Sequence, residues 1–170
     1  MSSPRRPFAV ALAAAALVVG GWLAFQGVGG TEELPDVGYT LLDGTKGTTS
    51  QLRGKVVLIN FWATDCTTCM HEMPQVAATY EKFRARGYDT LAVAMSYDKP
   101  GYVTRYAETR KLPFPVAYDR DGRMAKSLGN AQLTPTSVRV NRRGEIVKRY
   151  VGEPDFVALG ELVDRLLAEG

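Results

Sequence analysis

Cys66 and Cys69 are the only cysteines in 170 residues, and the only histidine, His71, follows two positions later. Two thiols separated by two residues, where a buried strand gives way to a helix, suit thiol–disulfide exchange. The attacking species is the thiolate, not the thiol. A cysteine in the first turn of a helix meets unpaired backbone N–H groups and the positive end of the helix dipole, and both lower its pKa. A second cysteine three positions on can reach the first without leaving the helix and release it from a mixed disulfide. Cys66 is therefore expected to attack and Cys69 to resolve. A stapling role is the weaker reading, because so small a loop removes little unfolded-state entropy. A structural zinc site needs four ligands, and Cys66, Cys69 and His71 cannot complete one alone.

The flanking segments show what must hold this pair. Lys55 to Trp62, with its run Val56-Val57-Leu58-Ile59-Asn60-Phe61, reads as a strand buried on both faces. A helix is expected from near Cys66 to Arg86, with Val76, Tyr80 and Phe83 on one face, a kink near Met70 to Pro74, and a stop at Gly87. Upstream, Tyr39 to Gly44 reads as a strand entering an Asp-Gly turn, and Ser50 to Arg53 as one helical turn. Downstream come a strand over Leu91 to Ser96, a helix over Tyr102 to Arg110, a short strand over Phe114 to Tyr118 and a short helix over Gly122 to Leu128. A hairpin follows from Ser137–Val140 and Ile146–Val151, then a helix from about Asp155 to Ala168. That last helix carries the apolar stripe Leu159, Leu162, Val163, Leu166 and Leu167. Strands alternating with helices and closing on a hairpin imply an α/β fold with a mixed sheet flanked by helices.

Asn60-Phe61-Trp62-Ala63 before Cys66-Thr67-Thr68-Cys69, then Glu72-Met73-Pro74, and far downstream Thr134-Pro135-Thr136, resemble the thioredoxin superfamily. More narrowly, they are similar to its membrane-anchored TlpA/ResA-type thiol reductases of bacteria. The resemblance runs from about Pro35 to Ala168. It implies a thioredoxin-like fold with an N-terminal hairpin and a central α/β insertion near Tyr97 to Tyr118. It also implies that Pro135 is a cis-proline facing the cysteines, with the backbone of Thr134 left to pair with an extended substrate. Trp62 would lie beside the site and is expected, with Thr134 and Pro135, among the substrate-binding residues. Glu72 matches the acidic residue this group carries after its second cysteine. It stands at i+3 from Cys69, and a partly buried carboxylate there could move protons to and from that sulfur.

The departures shape the expectations as much. Thr67-Thr68 replace the Gly-Pro of thioredoxin itself, and Asn60 stands where thioredoxin buries an aspartate. Acid–base work then falls to Glu72. Asp65 replaces a common tryptophan and is expected to cap the helix. His71 lies on a different helix face and reads as an exposed polar residue.

Before the domain, Arg5 and Arg6 precede an apolar stretch from Phe8 to Phe25. Eighteen helical residues span about 27 Å, close to the hydrocarbon thickness of a bilayer. Residues 1–25 read as a signal anchor, with a cleaved signal peptide as the alternative. Residues 26–34 read as a spacer and 35–170 as the catalytic domain. Basic residues before the span would stay cytoplasmic, so the domain is expected to be exported, and the resemblance implies that the membrane is a bacterial inner membrane. The formal net charge is +3, two units of it from Arg5 and Arg6, so nothing points to nucleic acid. The basic pairs Arg110-Lys111, Arg142-Arg143 and Lys148-Arg149 read as solvated faces.

The resemblance implies an exported reductase of protein disulfides, serving cytochrome c maturation or the cysteines of a metal site and re-reduced by a membrane electron donor. No cofactor is expected beyond the dithiol. Two other classes share the fold. A peroxidase would carry Pro and Thr upstream of its cysteine, in a spacing not reproduced around Ala63. A copper chaperone would add a distant histidine to its two thiolates.

Overall fold

The computed structural model describes residues 32–169. The expected membrane anchor, and the spacer as far as residue 31, lie outside the described residues. Among the described residues, no helix is long and apolar enough to cross a membrane.

Among the described residues, eight strands and four α-helices build the domain. The strands are β1 (Glu32–Glu33), β2 (Gly38–Thr40), β3 (Lys46–Thr48), β4 (Val56–Trp62), β5 (Tyr88–Ala94), β6 (Val116–Tyr118), β7 (Thr136–Val140) and β8 (Glu145–Val151). The helices are α1 (Thr67–Phe83), α2 (Pro100–Arg110), α3 (Arg123–Ser127) and α4 (Phe156–Ala168). Six strands form one sheet in the order β1-β8-β7-β4-β5-β6, and β2 and β3 form a separate hairpin. β4, β5 and β6 run parallel, whereas β7, β8 and β1 add antiparallel pairs. The mixed α/β sheet expected from sequence is therefore present. Glu32 and Glu33 depart from the expected spacer, because they pair with Ile146 and Glu145 at the sheet edge. Leu34 then buries its side chain behind them.

Alternation along the central strands feeds two cores. Val56, Leu58 and Trp62 face α1 and α4, together with Met73, Val76, Phe83, Leu159 and Val163. Val57, Ile59 and Phe61 face the opposite side with Val93, Met124, Leu128 and Val138. Every residue of β4 is buried, as a central strand covered on both faces requires.

Local chemistry sets the ends of the elements. α1 runs on through Pro74, whose nitrogen cannot donate to the preceding turn. A 3-10 turn over Arg84–Arg86 extends it to Gly87, where φ is +94°. That left-handed conformation favours glycine, and the Arg142 guanidinium lies 3.2 Å from where a Cβ would stand. α2 begins with Pro100 in its first turn, two residues earlier than the sequence suggested, because proline suits that position. Asp155 caps α4 by accepting from the backbone of Val157 and Ala158 at 2.8 and 3.1 Å.

Candidate active site

Cys66 and Cys69 are joined in a disulfide, their Cα atoms 5.2 Å apart. β4 delivers the chain to this point, and α1 begins immediately after Cys66. Cys66 is itself the N-cap: its backbone is extended, and its Sγ lies 3.1 Å from the backbone nitrogen of Cys69, which donates to it. This corrects the expectation that Asp65 caps the helix. The helix starts at Thr67, so Asp65 lies one residue outside the capping position and stays exposed. The bond carries a functional consequence. An N–H donor aimed at Sγ, with the unpaired N–H groups of the first turn, stabilises negative charge on that sulfur once the disulfide opens. Cys66 is half-buried and Cys69 fully buried, so an incoming sulfur can reach only Cys66 directly.

Beneath Cys69, the same helix brings in Glu72. Its side chain is fully buried. Asn60 of β4 donates from Nδ2 to Glu72 Oε1 at 2.8 Å and to Ser137 Oγ of β7 at 2.9 Å. The second carboxylate oxygen, Oε2, has no hydrogen-bond partner. Burial pushes the Glu72 carboxyl up to about 7, the Asn60 hydrogen bond opposes the rise, and Glu153 adds a smaller upward push. A carboxyl with that pKa exchanges protons readily near neutral pH. Asn60 therefore carries no proton itself but orients the group that can.

The Thr134–Pro135 peptide is cis, as the resemblance implied. Phe61 pairs with Thr136 across β4 and β7, so the register sets Pro135 opposite Trp62 at the end of the sheet from which the cysteine loop departs. β7 begins at Thr136, which leaves Thr134 outside the ladder. Trp62 does not fit the role expected of it. Its side chain is fully buried, with its ring 5.3 Å from that of Tyr106, so it supports the site from below and presents no surface to a substrate. The reason is its place on β4, where the parity that puts Leu58 in the core does the same for Trp62. His71 is exposed as expected, with Nδ1 3.0 Å from Glu153 Oε2.

A strap between β5 and α2 was not foreseen from sequence. Asp98, almost fully buried, accepts from the Thr64 backbone nitrogen at 2.6 Å and from Thr64 Oγ1 at 2.7 Å. One residue away, Tyr97 Oη lies 3.1 Å from Thr134 Oγ1. Two adjacent residues thus hold both loops of the site, one before Cys66 and one before Pro135. Nothing in the local sequence signals this, since an aspartate before a helix ordinarily caps it. Asn60 did leave a signal: a lone amide inside a run of buried aliphatics needs partners.

Comparison with known proteins agrees with this geometry. The sequence matches the Redoxin family profile over residues 30–160. It is 29% identical over 153 residues to the thiol-disulfide oxidoreductase ResA of Bacillus cereus, covering 86% of this chain and 87% of that one. Against ResA of Geobacillus kaustophilus the identity is 34% over 118 residues, 69% and 67% of the two chains. Among solved structures, a Neisseria meningitidis protein described as a candidate thioredoxin superposes with a TM-score of 0.76 at 36% identity, covering 82% of this chain and 93% of its own.

Proposed function

This chain belongs to the Redoxin family and is a TlpA/ResA-type thiol–disulfide oxidoreductase of the thioredoxin superfamily, and from that premise we propose that it reduces protein disulfides outside the cytoplasm while tethered to the membrane. The carrying observation is the pairing of a reachable sulfur at a helix start, Cys66, with a buried one, Cys69, whose helix face also carries Glu72.

In the reduced enzyme, the Cys66 thiolate attacks one sulfur of a substrate disulfide. A mixed disulfide forms and the other substrate sulfur leaves as a thiolate. Glu72 takes the proton of the Cys69 thiol through its unpartnered Oε2. The Cys69 thiolate then attacks Cys66 Sγ, and the second substrate sulfur leaves. Two electrons pass to the substrate, and the enzyme ends as the Cys66–Cys69 disulfide. Thr134 and Pro135 line the mouth where an extended substrate backbone would lie. A membrane donor restores the dithiol.

The clients proposed are the cysteines of apocytochromes c or of metal sites. The location proposed is the outer face of a bacterial inner membrane, held by residues 1–25. Support comes from the likeness to ResA proteins and from the basic-then-apolar N-terminal sequence. Insulin disulfide reduction tests the activity. The wild type is expected to turn over and Cys66→Ala to fall to background; equal rates would end this reading.

A further inference from the structure

Of the five large apolar side chains most exposed among the described residues, three lie around the dithiol: Tyr97, Tyr102 and Leu133. Leu133 precedes Thr134, and Tyr97 touches it. Tyr102 belongs to an open groove of about 440 Å³ between α2 and the turn that ends at Cys66. Thr64 and Asp65 form one wall of that groove, and Tyr102, Arg105, Tyr106 and Arg110 line the other. These α2 residues recur at i, i+3, i+4 and i+8, so one helix face carries alternating aromatic rings and guanidinium groups.

The charges on this face are unspent. Neither the Arg105 nor the Arg110 side chain forms an ion pair, whereas six arginine and lysine side chains elsewhere among the described residues do. Arg110 packs its guanidinium 5.8 Å from the centre of the Tyr106 ring, and Lys99 places its ammonium 5.2 Å from that of Tyr102. The Arg110 stack holds its charge on the groove wall with open donors. Asp65 is the one acidic side chain in the lining. An arginine in this setting suits a carboxylate, which it can grip with two parallel N–H groups.

Building on the reductase reading, we infer that the α2 groove docks a client segment carrying aspartate or glutamate beside its disulfide. Arg105 and Arg110 bind the carboxylates, Tyr102 and Tyr106 pack the intervening apolar side chains, and the adjoining cysteine is presented to Cys66. The groove would then select clients by the sequence around the disulfide.

The test uses three model peptides with the same disulfide and acidic, amide or basic flanking residues, at low ionic strength. Wild type should reduce the acidic peptide about fivefold faster than the amide one, the scale of two partly exposed ion pairs, and salt should erode the advantage. In R105Q/R110Q the acidic-to-amide ratio should fall to one. In R105E/R110E the basic peptide should become the preferred substrate, an inversion that misfolding cannot produce. An unchanged ratio in both variants would overturn the groove assignment. Failure of wild type to reduce any of the three would instead overturn the reductase reading beneath it.

Discussion

At the scale of single residues, Glu72 ties the proposed proton transfer to stability. Its carboxyl ordinarily titrates near 4.5, and burial raises it to about 7. The folded chain therefore holds a proton that the unfolded chain has already lost between those limits. Stability is full below about pH 4.5 and falls as pH rises through about 7. A shift of that size corresponds to about 3 kcal/mol at most. Urea denaturation at pH 4.5 and pH 8 is expected to show a loss of this order in the oxidised wild type and little of it in Glu72→Gln. An equal loss in the variant would assign the pH dependence to another group. The sequence exposed Glu72 through its spacing from Cys69, but not its partner. Asn60 is adjacent only because β4 runs under α1, which the residue order does not state. Asp65 misled for the reverse reason: a good capping residue stood one position too early, and Cys66 Sγ accepted the bond instead.

At the scale of elements, the strongly periodic segments were legible and the irregular ones were not. β4, β5 and α4 carry continuous or striped apolar patterns, and each lies within a few residues of its expected position. The N-terminal hairpin expected around the Asp-Gly turn is present as β2 and β3, whereas β1 escaped because two polar residues at a sheet edge have no pattern to read. The strap of Tyr97 and Asp98 escaped as well, since its contacts span 34 residues or more and have no period. Its consequence can be measured. Asp98→Ala removes the acceptor for the nitrogen and the hydroxyl of Thr64 and for the backbone nitrogen of Lys99, leaving three donors short of a partner. A cost of about 2 kcal/mol in urea denaturation is expected. Hydrogen exchange at the Thr64 amide should quicken at the same time. Unchanged exchange there would mean that the loop before Cys66 is held by something other than Asp98.

At the scale of the whole molecule, the domain gathers one reachable sulfur, one buried sulfur, a buried carboxyl and a proline loop at one end of its sheet. The fold class was legible because the alternation of strands and helices admits few layouts, and the terminal hairpin fixes a mixed sheet. The meeting of Pro135 with the cysteine loop, nearly seventy residues away in sequence, came only from the family likeness. The register of Phe61 with Thr136 sets Pro135 at the strand end from which that loop departs. The central claim is that Cys66 alone meets the substrate and Cys69 only releases it. Mass spectrometry of quenched reactions with a disulfide peptide tests this most directly. Cys69→Ala should accumulate one peptide on Cys66, and Cys66→Ala should accumulate none. An adduct on Cys69, or adducts formed equally fast in both variants, would contradict the assignment of roles.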